Sequence, residues 1–121
     1  MSKILTVDDS RTMRQMVAFT LSDAGHDVDE AENFDAACVL AGQHHYDLVI
    51  SDINMPGKNG IELVKALRAL PNTRFTPILM LTTESQSALR DEGKRAGASG
   101  WIVKPFEPAK LLEIIDKVLH R

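Results

Sequence analysis

Five polar residues of the sequence have the side chains that metal and phosphoryl chemistry requires. They are three aspartates, a threonine and a lysine, each at the end of a short apolar run: Asp8, Asp9, Asp52, Thr82 and Lys104. Crowded carboxylates repel one another unless a cation neutralises them, and an all-oxygen ligand set favours a hard ion such as Mg²⁺. A carboxylate can also act as a nucleophile and form an aspartyl phosphate, while an ammonium and a hydroxyl hold phosphoryl oxygens. The residue types therefore predict Mg²⁺-assisted phosphoryl transfer.

The stretch 47–57 around Asp52 is the most informative part of the chain. Leu48, Val49 and Ile50 form an apolar, β-branched run of the kind found in a strand buried on both faces, and a Pro-Gly turn follows at 56–57. Asp52 then lies at the carboxyl end of a buried strand, where open parallel sheets place their chemistry. On this stretch alone, a turn-capping role explains Asp52 equally well, because aspartate favours turns.

Composition restricts the classes of function. The chain has 121 residues, of which 44% are hydrophobic and only 5% aromatic, so we expect one domain over residues 1–121 with an aliphatic core and no output domain. The net charge of −3 does not indicate a surface that binds nucleic acid. Cys38 is the single cysteine, which indicates a reducing compartment. With no apolar run approaching 18 residues and no signal peptide, we expect a cytoplasmic protein without a membrane partner.

Strand and helix patterns alternate five times along the chain. Apolar runs predict strands near 4–7, 27–30, 48–50, 77–81 and 101–103, and apolar residues at helical spacing predict helices near 13–21, 34–41, 61–70, 85–96 and 111–119. Strands separated by helices pair in parallel with right-handed crossovers. This predicts an α/β fold: a doubly wound (βα)5 three-layer sandwich with a five-stranded parallel sheet. The polar second strand and the short fifth strand suit the edges, which favours the flavodoxin-like order 2-1-3-4-5.

The remaining reactive or soft side chains have structural explanations. Met13 and Met16 fall on the helical stripe and are expected in the core. Cys38 lies on the apolar side of the second helix, so we expect a buried, inert thiol. The pair His44–His45 lies where that helix ends and lacks partners for a metal site. Leu89 is the only large apolar residue of the fourth helix, which is therefore expected to be weakly anchored.

Four ordered segments resemble those of two-component response-regulator receiver domains. They are residues 7–10 (VDDS), 51–56 (SDINMP), 81–84 (LTTE) and 97–106 (GASGWIVKPF). The resemblance covers essentially the whole chain, and it is strongest to the single-domain chemotaxis members of the family. It supports the same fold that the strand and helix patterns predict.

The resemblance implies a phosphoacceptor and a metal site. Asp52 would receive a phosphoryl group from a histidine kinase. Asp9 and Asp52 would bind Mg²⁺ through their side chains, Asp8 would act through water, and Asn54 would act through its backbone carbonyl. The chain would be a signalling switch rather than an enzyme that turns over a substrate.

The resemblance also implies a switch. Thr82 would be the switch hydroxyl, and Lys104 would bind the phosphoryl group and precede a cis peptide bond, Lys104–Pro105. Trp101 has the position of the family's switch aromatic, although a partly buried aromatic with no switching role explains it equally well. Thr83 departs from the usual small residue after the switch threonine, and Glu84 flanks the site.

The partners that the resemblance implies are those of chemotaxis. We expect a monomer that is phosphorylated by a CheA-like histidine kinase and dephosphorylated with the help of a phosphatase. Its fourth helix, fifth strand and fifth helix would bind a target, foremost the flagellar motor switch protein. Alternatives are a phosphate sink, a phosphorelay intermediate, a phosphohydrolase of the haloacid-dehalogenase type, and a flavodoxin-like electron carrier.

Overall fold

The computed structural model of the chain describes residues 2–55, 57–83 and 87–120. Strands and helices alternate along it. The strands are β1 Lys3–Val7, β2 Asp27–Ala31, β3 Leu48–Asp52, β4 Ile78–Thr82 and β5 Gly100–Val103. The helices are α1 Arg11–Asp23, α2 Phe34–Gln43, α3 Gly60–Ala69, α4 Ser87–Ala96 and α5 Pro108–Leu119. The predicted (βα)5 arrangement is confirmed.

The five strands form one parallel sheet in the order β2-β1-β3-β4-β5, as the polarity of the strands predicted. Every residue of β3 and β4 is buried, whereas β2 at the edge is exposed or half-buried along its length except at Ala31. A buried central strand and a polar edge strand are what a doubly wound sheet requires, because helices cover only the middle of the sheet on both faces. The chain crosses from one side of β1 to the other between β2 and β3, which opens a crevice at the carboxyl ends of β1 and β3.

Two aliphatic cores lie on opposite faces of the sheet. The core under α1 and α5 contains Val17, Leu21, Leu111 and Ile115 with the inward residues of the strands. The core under α2, α3 and α4, here called the α2–α4 core, contains Ala37, Ala41, Ile61, Val64 and Leu67 with the alternate residues of the strands. Because neighbouring residues of a strand face opposite cores, each central strand is anchored from both sides.

Three helices begin with a capping side chain directly after the site-bearing edge of the sheet. The caps are Ser10 of α1, Asn33 of α2 and Asn59 of α3, and each side chain accepts a backbone N–H from the third residue beyond it. Asn59 also forms a capping box with Glu62. Such caps fix where each loop ends, so the residues between strand and helix have little freedom.

Several local expectations need correction. Met16 is 37% exposed rather than in the core, because the buried stripe of α1 runs through Val17, Ala18 and Leu21 and Met16 lies beside it. Cys38 packs on the α2–α4 core but is half-buried rather than fully buried. Burial raises the pKa of its thiol, which favours the protonated form. The fourth helix begins at residue 87, and the predicted start at residue 85 lies outside the described residues.

The carboxyl end of α4 is held by Arg68 of α3. The Arg68 guanidinium donates to the carbonyl of Gly97 at 2.9 and 3.2 Å, just beyond α4, and to the carbonyls of Thr73 and Thr76 at 2.9 and 2.6 Å in the α3–β4 loop. Burial lowers the pKa of Arg68. A cation whose hydrogen bonds go to carbonyls of two loops joins those loops, so this contact fixes one end of a helix with few apolar anchors.

Within the described residues, no helix combines the length and the apolar character needed to cross a bilayer.

Candidate metal and phosphoryl site

The three aspartates predicted from the sequence meet at the carboxyl edge of the sheet. Carboxylate oxygens of Asp8, Asp9 and Asp52 all lie within 4.8 Å of one another. The pairing of β1 with β3 brings them together, since Val7 is the register partner of Ser51 and the chains continue in parallel from there. Asp8 is 1% exposed and Asp52 6% exposed, whereas Asp9 is exposed to solvent. The cluster is therefore buried at its base and open at its rim.

The two carboxylate oxygens of Asp8 differ in their contacts. Oδ1 accepts the backbone N–H of Ser10 at 2.9 Å, and Oδ2 is buried with no hydrogen-bond partner among the described residues. Burial raises the pKa of Asp8, the charge of Asp52 raises it further, and the Ser10 N–H acts in the opposite direction. A buried carboxylate oxygen that lacks a donor and faces two further carboxylates fits a hard divalent cation. The donor set of this chain thus matches the Mg²⁺ site that the sequence predicts.

Lys104 contacts Asp52 directly. Its Nζ donates to Asp52 Oδ1 at 2.9 Å, and both side chains are largely buried. The Lys104 backbone N–H donates to the carbonyl of Thr82, which extends the β4–β5 pairing and fixes where the lysine leaves the sheet. The Lys104–Pro105 peptide bond is cis. An ammonium held on the carboxylate reduces the repulsion within the aspartate cluster and remains available to a phosphoryl oxygen.

The Thr82 hydroxyl is buried and has no hydrogen-bond partner within the described part of the chain. Thr82 is the last residue of β4, one position beyond Leu81, the register partner of Asp52. Most buried hydroxyls are hydrogen-bonded, and exceptions often mark functional sites. The hydroxyl is therefore a donor without a described partner at the same edge of the sheet as Asp52.

Two residues that sequence reasoning missed support the site from behind. Gly60 begins α3 directly against the end of β3: its N–H donates to the carbonyl of Ile53 at 2.9 Å, and a Cβ at Gly60 would lie 2.9 Å from Ile53 Cα. Arg14 donates to the backbone carbonyl of Asp8 at 2.8 Å and forms an ion pair with Glu30 at 3.2 Å. The sequence does carry a signal for Arg14, because a cation near the amino end of a helix opposes the helix dipole and needs another partner.

The other predicted residues lie around this centre. Asn54 follows β3 and is exposed, and Thr83 is half-buried directly after β4. Trp101 lies on β5 opposite Met80 and packs on the α2–α4 core, half-buried. Glu84 and Pro56 lie outside the described residues. The structure thus brings Asp8, Asp9, Asp52 and Lys104 together.

The site and the fold together define a class of protein. Residues 4–116 match the family described as response regulator receiver domain. The chain belongs to this family of signalling switches. Membership decides between the receiver and the phosphohydrolase and flavodoxin alternatives in favour of the receiver.

Within the family, the chain is a CheY-like receiver domain. It is 41% identical to chemotaxis protein CheY-3 of Vibrio cholerae over 120 residues, which cover 98% of this chain and 92% of that protein. The structure of chemotaxis response regulator CheY4 of Vibrio cholerae superposes with a TM-score of 0.92 and 49% identity, covering 98% of both chains.

A third similar structure bears on the metal site. The receiver domain of a sensor histidine kinase from Pseudomonas aeruginosa, with a magnesium ion coordinated in its active-site cleft, has a TM-score of 0.91 and 26% identity. It covers 99% of this chain and 98% of that chain. The cluster of three aspartates in the present chain offers the oxygen ligands that Mg²⁺ prefers.

Proposed function

We propose that this chain is a stand-alone response regulator that is phosphorylated on Asp52 by a histidine kinase with Mg²⁺, and that acts in chemotaxis. The observation that carries the proposal is the convergence at one edge of the sheet. One carboxylate oxygen of each of the three aspartates lies within 4.8 Å of the others, and Lys104 Nζ donates a hydrogen bond to Asp52. The Thr82 hydroxyl has no described partner. Phosphoryl transfer depends on positioning and charge stabilisation, and this arrangement supplies both.

In the proposed reaction, an oxygen of Asp52 attacks the phosphorus of the phosphohistidine. The O–P bond forms as the P–N bond breaks, and the electron pair stays on the imidazole nitrogen, which takes a proton from water. Lys104 moves from the Asp52 carboxylate to a phosphoryl oxygen, and the Thr82 hydroxyl donates to another. Lys104 exchanges one charged acceptor for another, and the Thr82 hydroxyl gains a charged acceptor.

Asp8, Asp9 and Asp52 would hold Mg²⁺, with Asn54 contributing its backbone carbonyl. Bound there, Mg²⁺ would offset the negative charge of the carboxylates and of the incoming phosphoryl group. Asp8 would act through a water bound to its Oδ2, while its Oδ1 remains fixed by the N–H of Ser10. The hydrogen bond from Arg14 to the backbone carbonyl of Asp8 fixes the β1–α1 loop, which carries Asp8 and Asp9.

The output of the switch is proposed to be the face formed by α4, β5 and α5. When Thr82 turns toward the phosphoryl group, Trp101 and α4 readjust, and the population shifts toward a target-binding state. The target proposed is the flagellar motor switch protein, and the kinase a CheA-like histidine kinase, in the cytoplasm, with a phosphatase limiting the signal. A phosphate sink or a phosphorelay intermediate is the alternative for the same chemistry.

The decisive experiment is phosphorylation by a small phosphoramidate donor, with and without Mg²⁺, followed on a phosphate-retarding gel. We expect a Mg²⁺-dependent shifted band for the native chain and none for Asp52→Asn. The exposed Asp47 at the opposite end of β3 provides a matched control, Asp47→Asn, that should shift like the native chain. A shifted band for Asp52→Asn, or one independent of Mg²⁺, would contradict the proposal.

A second measurement separates the motor role from the sink. The phosphorylated chain should bind the flagellar motor switch protein more tightly than the unphosphorylated chain in a pull-down with purified components. A chain that drains phosphoryl groups from the kinase without binding the motor protein would instead be a sink.

A further inference from the structure

Gly93 in the middle of α4 lies against the indole of Trp101 on β5. A Cβ built on Gly93 would lie 2.8 Å from Cη2 and 3.0 Å from Cζ3 of the indole. Carbon atoms pack best about 3.5–4.0 Å apart, so any side chain at position 93 would overlap the ring. The indole therefore occupies the volume that a side chain of α4 would otherwise fill.

The backbone does not explain this glycine. The glycines with positive φ are Gly25, Gly57 and Gly97, and Gly93 has a helical conformation that alanine adopts readily. A glycine inside a helix costs about 1 kcal/mol relative to alanine. The contact with Trp101 is the feature of the described structure that offsets this loss.

We infer that Gly93 is a positioning residue for Trp101: its missing side chain forms the seat that the indole occupies in the unphosphorylated chain, and this seat couples the ring to α4. The coupling is steric and works in both directions. If α4 moves toward β5 it must displace the ring, and if the ring leaves, a cavity opens under Gly93 that α4 must close. The packing contact between Gly93 and Trp101 is independent of phosphorylation, whereas its part in signalling rests on the proposed function.

The chain provides its own control. Gly42 lies in α2 with no atom within 4 Å of an added Cβ, so Gly42→Ala tests helix propensity without a steric effect. We expect Gly42→Ala to raise the folding equilibrium constant by up to about fivefold, which corresponds to about 1 kcal/mol. Gly93→Ala gains the same propensity, yet we expect it to lower that constant below the native value. Trp101 is the only tryptophan, so its emission should also shift to the red as the ring leaves its seat.

The same comparison in a Trp101→Phe chain isolates the contact. Phenylalanine lacks the outer ring atoms that meet Gly93, so Gly93→Ala should become as favourable as Gly42→Ala. The inference is overturned if Gly93→Ala has the same effect on stability with Trp101 and with phenylalanine at position 101. It is equally overturned if Gly93→Ala leaves the tryptophan emission of the otherwise native chain unchanged.

A phosphorylation arm tests the coupling to the switch. With the phosphoramidate donor and Mg²⁺, the emission of the native chain should change, and that of Gly93→Ala should change less because the ring has already left its seat. If both chains show the gel shift and the same emission change, the coupling is refuted while the receiver function stands. If the native chain shows no gel shift, the proposed function fails, and the stability comparison still decides whether Gly93 is the seat.

Discussion

Replacing Asp8 with asparagine should stabilise the chain without Mg²⁺ and remove most of the stabilisation that Mg²⁺ provides. Asp8 is 1% exposed, its Oδ2 has no described partner, and carboxylate oxygens of Asp9 and Asp52 lie within 4.8 Å. Asparagine keeps an acceptor for the Ser10 N–H and a similar shape, so the main change is the loss of one charge.

The magnitude follows from the geometry. Two like charges 4.8 Å apart repel by about 1 kcal/mol in water and about 3 kcal/mol at an effective dielectric constant of 20. The attraction of Asp8 to Lys104 is lost as well, so we expect a net gain of about 1–2 kcal/mol in the free energy of unfolding. The sign agrees with the pKa of Asp8, which burial raises in the folded chain. Ionising a group with a raised pKa destabilises the fold above that pKa, and the penalty vanishes below the unfolded value.

The assay is urea unfolding of both chains at neutral pH, first with a chelator and then with saturating Mg²⁺. A ligand at 100 times its dissociation constant stabilises the native chain by about 2.7 kcal/mol, and the Asp8→Asn chain should gain much less. Asp91→Asn, which removes an exposed carboxylate on α4, serves as the control and should change neither value. A lower stability of Asp8→Asn in the chelator would refute the repulsion argument, and an unchanged Mg²⁺ increment would refute a role for Asp8 in the metal site.

Other substitutions test the supports of the site. Arg68→Ala should lower the free energy of unfolding by about 2 kcal/mol because several carbonyls lose their donor. Arg74→Ala, which removes an exposed side chain of the α3–β4 loop, should change it by under about 0.5 kcal/mol in urea unfolding. Gly60→Ala should lower the free energy of unfolding by about 1–3 kcal/mol, because its Cβ would overlap the backbone of Asp52 and Ile53. The displaced backbone should also slow the phosphorylation of Asp52 seen on the gel. A stable variant that is phosphorylated at the native rate would contradict this. Thr83→Ala should speed phosphorylation by small donors, since the smaller side chain widens access, and equal rates would show that the threonine does not restrict the site.

The strand order could be predicted from the sequence because buried central strands are apolar and partly exposed edge strands are polar. The alternation around Val28 placed β2 at an edge, and the run before Asp52 placed β3 in the centre. The same reasoning brought the aspartates together through the topology of parallel strands. It could not tell that Asp8 is buried and Asp9 exposed, because neighbouring residues beyond a strand end no longer alternate in a fixed way.

Contacts between elements left weaker traces in the sequence. From the sequence alone, Gly93 predicts only a locally destabilised helix. The structure shows that its missing side chain leaves room for the indole of Trp101. Met16 fits a helical stripe, yet the rotation of α1 about its axis leaves it at the border of the core. Both depend on how two elements are docked, a quantity that periodicity within one element does not contain.

The charges at the site explain why phosphorylation should depend on a divalent cation rather than on Lys104 alone. Three carboxylates and one ammonium carry a formal charge of −2. Phosphorylation of Asp52 removes the charge of its carboxylate, and the phosphoryl group adds about −2, so the site would reach about −3 with Lys104 as its only counterion. With a divalent ion held by the aspartates, that sum would be about −1, and Lys104 could leave the Asp52 carboxylate without leaving the charge of the cluster uncompensated. Asp8 Oδ2 and the Thr82 hydroxyl, two buried groups at this edge of the sheet without a described partner, would then be the acceptor and the donor that the phosphorylated state requires.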